Sequence, residues 1–282
     1  MSEVNADQQT YWSDKAGPYW VARMAPMDQT LGPVLDAVLA AAELAPGDQV
    51  LDIGCGAGTS TIAAAQQVGP SGQVVGVDIS ESLLAKARQI AEGTPQAGFL
   101  LADAQTHAFE DGHIDCILSR FGVMFFDDPE AAFINMAKAL RPGGRMAFAS
   151  WGAISENPYF TLPARTATGI FGPVPKTDPD DPGPFAFRET ARVTGILEAA
   201  GMVAIDAKEL PMDLTPPGDA AAVADVLCDI GSAHRILTHF EATPDMRAQL
   251  VAALAEALQV FETEQGLRIP ALINIFTARK PA

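Results

Sequence analysis

A glycine-rich segment at positions 50–58, VLDIGCGAG, is the part of the sequence best suited to hold a small ligand. Its glycines, Gly54, Gly56 and Gly58, let the chain turn tightly after an apolar run and bring backbone N–H groups and a helix N-terminus close to a ligand. A dinucleotide fingerprint would place its third glycine at position 59, where this chain has Thr59. The spacing therefore disfavours a nicotinamide oxidoreductase.

Two acidic residues end the next two predicted strands. Asp78 follows an apolar run and lies 20 residues beyond Gly58, where a carboxylate can accept hydrogen bonds from both hydroxyls of a ribose. Asp103 ends the third strand and can accept a hydrogen bond from an adenine amino group, while the N–H of Ala104 can meet a ring nitrogen. Because the carboxyl ends of parallel strands meet at one edge of a sheet, three strand ends are predicted to form one nucleoside site.

Alternating strands and helices must position these residues. Hydrophobic periodicity and the cap and stop residues predict five strands that bear the motifs, at 49–53, 74–77, 98–101, 114–118 and 145–150. Helices are predicted between them, one of them capped by Ser80 and one by Asp127 or Asp128, with a loop rather than a helix between the third and fourth strands. A helix at 189–200, a strand at 202–210, two helical patterns and a strand at 269–278 follow. This alternation implies a parallel sheet covered on both faces.

Five segments in order carry a family resemblance. They are VLDIGCGAG, VVGVDIS, LLADAQ, IDCILSRFGVMFF and LRPGGRMAFASW, and they span about residues 45–151. The set resembles the motifs of class I S-adenosylmethionine-dependent methyltransferases, particularly the ubiquinone and menaquinone biosynthesis branch, and YWSDKAGPYW near the N-terminus resembles bacterial members of that branch. The resemblance implies an α/β, Rossmann-like sheet that is mostly parallel with the last strand antiparallel, a helical cap insertion, and S-adenosyl-L-methionine as cofactor.

By matching position, the resemblance also implies which residues hold each part of the cofactor. The implied contacts are Gly54, Cys55 and Gly56 for the methionine part, Asp52 for its ammonium, directly or through water, Asp78 and Ile79 for the ribose and the flank of the adenine, Asp103 and Ala104 for the adenine edge, and Ser119 or its backbone beneath the sulfonium. Gly58 of the same loop is also a predicted cofactor-binding residue. The roles of Arg120 and Phe121 are left open.

No catalytic residue and no metal site are predicted. The histidines fall in no motif that demands a base, and His234, on the apolar side of a helical pattern, is interpreted as a core residue. Cys55 has no basic neighbour in sequence that would lower its pKa, which disfavours covalent catalysis. The three cysteines show no metal-ligand spacing and no disulfide framework.

The sequence suggests four segments. They are an N-terminal helical lid at 1–35, the cofactor-binding core at 36–151, a Pro-rich cover at 152–188, and the rest of the core at 189–282 with a helical cap insertion at 215–266. Aromatic residues near the N-terminus have helical spacing, which fits a packed helix as well as a lid that closes over the cofactor. Trp20 is the predicted lid contact.

The charge and composition limit the classes of partner that the chain is expected to bind. A formal net charge of −17 repels nucleic acid and anionic membrane surfaces, no apolar run is long enough for a membrane span, and the N-terminal residues suggest no export signal, so a cytoplasmic location is expected. A homodimer is left open. The expected function is methyl transfer to an O, C or N atom of a small apolar or aromatic molecule. The alternative is a regulatory protein that binds S-adenosylmethionine or S-adenosylhomocysteine without transferring a methyl group.

Overall fold

The computed structural model describes residues 4–175 and 177–282, so the predicted lid at 1–35 and the predicted cover at 152–188 each include residues outside the described ranges. The described strands, in chain order, are β1 Gln49–Ile53, β2 Gln73–Asp78, β3 Ala97–Leu101, β4 Ile114–Arg120, β5 Leu140–Trp151, β6 Val203–Leu214, β7 Glu262–Thr263, β8 Gly266–Leu267 and β9 Ile269–Arg279.

Seven of these strands form one sheet in the order β3-β2-β1-β4-β5-β9-β6. The pairs from β3 through β5 are parallel, and β9 runs antiparallel to both of its neighbours, β5 and β6. The predicted fold class is therefore confirmed. Strand β1 is an interior strand of the sheet, and four of its five residues are buried, as expected for a parallel strand covered on both faces.

Helices cover the sheet and extend beyond it. The described α-helices are α1 Ala6–Thr10, α2 Gly17–Ala22, α3 Met24–Thr30, α4 Gly32–Ala42, α5 Thr59–Val68, α6 Glu81–Ile90, α7 Pro129–Ala139, α8 Pro158–Phe171, α9 Thr190–Ala199, α10 Ala220–Cys228, α11 Gly231–His239 and α12 Pro244–Leu258, with a π-helical turn at Tyr11–Ala16 between α1 and α2. None of them combines the length and the apolar character that a membrane crossing requires.

The predicted helix caps are present. The Ser80 hydroxyl accepts a hydrogen bond from the N–H of Leu83 at the start of α6, and the Asp128 carboxylate accepts one from the N–H of Ala131 at the start of α7. Each cap pairs an N–H group that has no partner within its own helix. Helix α6 begins at Glu81, directly after the loop that follows β2, whereas a longer connection separates β4 from α7.

The structure changes two details of the sequence interpretation. The helical pattern that contains His234 is two helices, because Ile230 is extended between α10 and α11 and Gly231, the first residue of α11, takes a positive φ of 57°. His234 is exposed, so it is not a core histidine. Helix α4 crosses the expected boundary at residue 35 and packs against β4 and β5, so it belongs to the core. Helices α8, α10, α11 and α12 pack on one another as a helical cap.

Candidate functional site

The glycine loop after β1 and the loop after β4 touch through their backbones. Gly54 has a positive φ of 66°, and a Cβ placed on it would lie 2.5 Å from the Cα of Gly122. A Cβ on Gly122 would in turn lie 2.4 Å from the carbonyl oxygen of Ile53. Only glycine fits at both positions. The predicted site residues of both loops therefore lie at one edge of the sheet.

The N–H groups of the glycine loop bind within the protein. Those of Gly54 and Cys55 donate to the carbonyl oxygen of Val77, at 2.8 and 3.2 Å, and that of Gly58 donates to the carbonyl oxygen of Cys55 at 3.0 Å. The N–H of Gly56 donates to Asp78. The contact of the loop's N–H groups with a ligand stays a prediction. The loop offers close approach at Gly56, where a Cβ would have no atom within 4 Å, whereas the Cβ positions of Gly54 and Gly58 are filled by neighbouring residues of the protein.

Asp52 is completely buried at the end of β1. Its Oδ2 accepts hydrogen bonds from the hydroxyls of Ser60 and Thr61, both at 2.6 Å, whereas its Oδ1 is buried and has no partner among the described residues. Burial raises the pKa of this carboxyl, and the two hydroxyls and the positive charge of Arg120 oppose that rise. A buried carboxylate oxygen without a donor is costly, so a positively charged ligand group would stabilise it.

Asp78 ends β2 with both oxygens bonded to backbone. The N–H of Gly56 donates to its Oδ2 at 2.8 Å and the N–H of Ser80 donates to its Oδ1 at 2.9 Å. Burial raises the pKa of Asp78 to about 6, and these hydrogen bonds limit the rise. Since each carboxylate oxygen accepts two hydrogen bonds, one position on each oxygen is left for a ribose hydroxyl.

Asp103, after β3, lies beside Ile79 in a pocket of about 210 Å³, so two residues expected at the adenine share one cavity. The side-chain amide of Asn5 donates to both oxygens of Asp103, at 3.0 and 3.1 Å, and the N–H of Gln105 donates to one of them at 2.9 Å. Sequence reasoning missed Asn5, because a contact across 98 positions leaves no local pattern. The N-terminal segment thus covers Asp103, the residue expected at the adenine edge.

Ala104, Ser119 and Cys55 are buried next to the site. The Ser119 hydroxyl donates to the carbonyl oxygen of Ile53 at 2.7 Å and accepts from the N–H of Gly122 at 3.0 Å, so it ties the two loops together. Only the backbone of Ser119 is left to line the floor of the site. The carbonyl of Ala104 accepts from the side chain of Asn135 at 3.0 Å.

Cys55 points its side chain into the sheet and away from the loop edge. A Cβ on Gly76 of β2 would lie 2.8 Å from its Sγ. Burial raises the pKa of the Cys55 thiol well above its usual range, with the negative charge of Asp78 adding to the rise. The thiol therefore stays protonated near neutral pH, which agrees with the expectation that it is no nucleophile.

Arg120 links β4 to the N-terminal helices. Its Nη2 donates to Asp28 of α3 at 3.0 Å, and the other oxygen of Asp28 accepts from the hydroxyl of Thr59 at 2.6 Å. The Nη1 of Arg120 is buried without a partner among the described residues. Next to it, Phe121 has a positive φ of 66°, a strained conformation for an aromatic residue. Its ring stacks on Trp151 at 4.4 Å between centroids.

The aromatic residues of the N-terminal segment pack over the same edge. Trp20 meets Trp12 edge to face at 6.0 Å, and Trp12 meets Phe125 in the same way at 5.2 Å. Gly17 packs tightly against the start of α6, since a Cβ on it would lie 2.7 Å from the Ser82 hydroxyl. Trp20 is half-buried against the hydrophobic core. The segment thus lies across the start of α6, beside Asp78.

Known proteins resemble this chain in both sequence and fold. A family profile described as a methyltransferase domain matches residues 50–144. Nocamycin O-methyltransferase of Saccharothrix syringae is 30% identical over 247 residues, which are 84% of this chain and 75% of that protein. The ubiquinone/menaquinone biosynthesis C-methyltransferase UbiE of Pseudomonas fluorescens is 40% identical over 103 residues, which are 36% of this chain and 40% of that protein.

A solved structure of phosphoethanolamine N-methyltransferase 2 from Haemonchus contortus, in complex with S-adenosyl-L-methionine, superposes with a TM-score of 0.59. The two sequences are 18% identical, and the matched region covers 97% of this chain and 60% of the Haemonchus protein. The similarity therefore concerns the fold. The chain spans less than half of the length of several other curated relatives, from 28% to 48%.

Proposed function

The chain belongs to the class I S-adenosylmethionine-dependent methyltransferases, and we propose that it moves a methyl group to an O, C or N atom of a small apolar or aromatic molecule. The proposal rests on the observation that a glycine-rich loop lies beside three acidic residues at the ends of three neighbouring strands, Asp52, Asp78 and Asp103. A nucleoside with a positively charged amino-acid arm matches this set of acceptors.

The residues fit that cofactor. The partnerless Oδ1 of Asp52 suits an ammonium group, the two remaining acceptor positions of Asp78 suit the two ribose hydroxyls, and Ile79 offers an apolar flank to an adenine. Gly56 permits close approach of a ligand, since a Cβ placed on it would have no atom within 4 Å. Asp103 can accept from an adenine amino group once a present donor leaves, because it already receives hydrogen bonds from Asn5, Gln105 and Thr106.

When bound, S-adenosylmethionine supplies a methyl group on a positively charged sulfur, and that charge is neutralised as the methyl leaves. Apolar walls favour such a reaction because they destabilise the localised charge of the sulfonium more than the dispersed charge of the transition state. The stacked rings of Phe121 and Trp151, both buried at the ends of β4 and β5, supply such a wall. The protein's main contribution is alignment of nucleophile, methyl and sulfur, which is worth about 7–11 kcal/mol in well-oriented systems.

The remaining parts of the chain are proposed to enclose the substrate. Helices α1 to α3 form the lid and α8 with α10 to α12 form the cap. The lid meets the cap through Arg23, whose guanidinium binds Asp229 at 2.8 Å, and through Tyr19, whose hydroxyl donates to the carbonyl of Val226 at 3.3 Å. The net charge of −17 argues against a nucleic-acid partner. A cytoplasmic location stays a prediction. A homodimer stays a prediction for gel filtration.

A panel of small phenols, carboxylic acids, enols and amines tests the proposal by formation of S-adenosylhomocysteine. We expect product with at least one acceptor, and none from the Asp78→Asn variant at low cofactor concentration. Similarity to nocamycin O-methyltransferase supports an oxygen acceptor as the first choice for the panel. Tight binding of S-adenosylhomocysteine with no turnover on any acceptor would favour the regulatory alternative.

A further inference from the structure

The guanidinium of Arg120 is a buried positive group with one free edge. Its side chain is 11% exposed, its Nη2 binds Asp28, and its Nη1 is buried without a partner in the described part of the chain. Leaving a charged donor unpaired costs more than leaving a neutral one. Such an atom points to a ligand with a negatively charged acceptor.

A matching negative atom lies at the end of the neighbouring strand. In the parallel pairing of β1 with β4, Asp52 is opposite Leu118, so Arg120 lies two residues further toward the same edge of the sheet. The backbone contact between Gly54 and Gly122 holds the two loops together there. The charge of Arg120 also lowers the raised pKa of Asp52, so the two side chains interact electrostatically.

One partnerless carboxylate oxygen and one partnerless guanidinium nitrogen at adjoining strand ends complement an amino acid in its zwitterionic form. We infer that Arg120 binds the α-carboxylate of the methionine part of S-adenosylmethionine, while Asp52 holds its ammonium. The inference rests on the proposed function. It makes the site selective for a methyl donor that carries a carboxylate.

Asp28 prepares Arg120 for this role. It takes one edge of the planar guanidinium and leaves the other edge free, and its second oxygen is fixed by the hydroxyl of Thr59 at 2.6 Å. A guanidinium held in this way loses little further rotational freedom when it binds a carboxylate. Arg120 is therefore a binding residue, and Asp28 is the residue that positions it.

Two cofactors that differ in one group provide the test: S-adenosylmethionine and its decarboxylated form, which lacks only the α-carboxylate. We expect the parent protein to bind S-adenosylmethionine more tightly by about 10–100-fold, the range for a hydrogen bond between charged groups. In Arg120→Met, calorimetry should show a loss of about that size for S-adenosylmethionine and a change of less than about threefold for the decarboxylated form.

Two further variants separate binding from packing. Arg120→Lys keeps the charge but loses the planar fork, so it should retain part of the selectivity. Asp28→Asn keeps the guanidinium but loosens it, so the loss for S-adenosylmethionine should be smaller than in Arg120→Met. Equal losses for both cofactors in Arg120→Met would overturn the inference and assign Arg120 a structural role. If Arg120→Met does not fold, the comparison of the parent with Arg120→Lys decides. The inference is overturned if the parent binds both cofactors equally tightly and Arg120→Lys shows the same selectivity as the parent.

The same titrations distinguish this inference from the proposed function. If the parent binds neither cofactor, the proposed function fails and the inference fails with it. If the parent binds both and Arg120→Met binds S-adenosylmethionine as tightly as the parent does, only the inference fails. No methyl acceptor is present in these titrations. If Arg120 binds a carboxylate of the methyl acceptor instead of the cofactor, Arg120→Met should therefore bind S-adenosylmethionine as tightly as the parent does.

Discussion

Gly54 and Gly122 face each other so closely that neither position has room for a side chain: a Cβ on Gly54 would lie 2.5 Å from the Cα of Gly122. The two glycines belong to the loops that end β1 and β4, and the contact is between backbones. No flexible side chain can move aside to relieve a clash there. This contact sets the spacing between the cofactor's glycine loop and Arg120.

Gly122→Ala should therefore be destabilising although its φ of −82° suits any residue. The new methyl group would lie 2.4 Å from the carbonyl oxygen of Ile53, so the loops must separate, and we expect the free energy of unfolding to fall by about 1–3 kcal/mol. Gly169→Ala is the matched control, because Gly169 is exposed within α8 and has no atom within 4 Å of a Cβ. That control should gain about 0.5–1 kcal/mol. Urea unfolding measures both, and equal stability of the two variants would contradict the contact.

Binding of S-adenosylhomocysteine should weaken below about pH 6 because of Asp78. Burial raises the pKa of Asp78 from 3.8 to about 6, so protonated Asp78 favours the folded state, and that stabilisation is lost as the pH rises from about 4 to about 6. Ribose hydroxyls that donate to Asp78 favour its ionised form, so a proton must leave on binding in acid. Each pH unit below 6 should cost up to about tenfold in affinity through this group.

Calorimetry between about pH 5 and 8 measures this profile. Asp52, whose pKa burial also raises, is the neighbouring carboxylate and adds its own dependence at its own pKa. Asp78→Asn should bind more weakly by about 1.5–3 kcal/mol near neutral pH and should lose the transition near pH 6. A variant that keeps the parent's profile would show that Asp78 does not hold the ribose.

The cysteines should be unreactive in the folded protein. All three are free and buried, and burial raises the pKa of Cys116 to about 12 and that of Cys228 to about 11. Thiol reagents attack thiolates, which are scarce at pH 8 for such groups. We expect almost no reaction with Ellman's reagent in buffer and reaction of all three thiols in denaturant. Rapid native labelling that disappears in Cys55→Ser would contradict the inward position of Cys55.

The sheet and its acidic strand ends were predictable because they depend on short-range patterns. Apolar runs of strand length, the cap at Ser80 and the glycines of the first loop are each readable within a few residues, and the structure has them in the predicted order. The engagement of the loop's N–H groups was not predictable. It depends on how closely the carbonyl of Val77 in β2 approaches the loop, which is a tertiary property.

The long-range polar contacts at the site were also beyond the sequence. Asn5 reaches Asp103, and Asp28 reaches Arg120, over 98 and 92 positions, and no periodicity joins residues so far apart. One signal for Arg120 was nonetheless present, because a charged residue directly after the apolar run of β4 must find a partner at the edge of the sheet. Helix α11 was merged with α10 because both are apolar on one side, and the break at Gly231 is a local turn.

Removing residues 1–23 tests whether the N-terminal segment is a lid or part of the core. The cut falls just before α3, so Asp28 and its bond to Arg120 remain. Of the residues 4–23 whose burial is described, only Asn5 and Gly17 are buried, and the side chain of Lys15 is not described. By comparison, α4 alone buries five apolar residues. The deletion should therefore leave the sheet folded, with nearly the parent's circular dichroism and a modest loss of stability.

The rates of cofactor exchange should change more than the fold does. Asn5 holds Asp103 through both oxygens and also accepts from the N–H of Asp127 at 2.7 Å, so we expect the pocket beside Asp103 to open when these bonds break. Without the segment, association and dissociation of S-adenosylhomocysteine should both accelerate, by roughly tenfold or more, as expected when a conformational step is removed. Asn5→Ala should reproduce part of the faster association with the segment still present. Stopped-flow fluorescence measures both rates. Unfolding of the truncated protein would show that the segment is part of the hydrophobic core, and unchanged rates would exclude a lid.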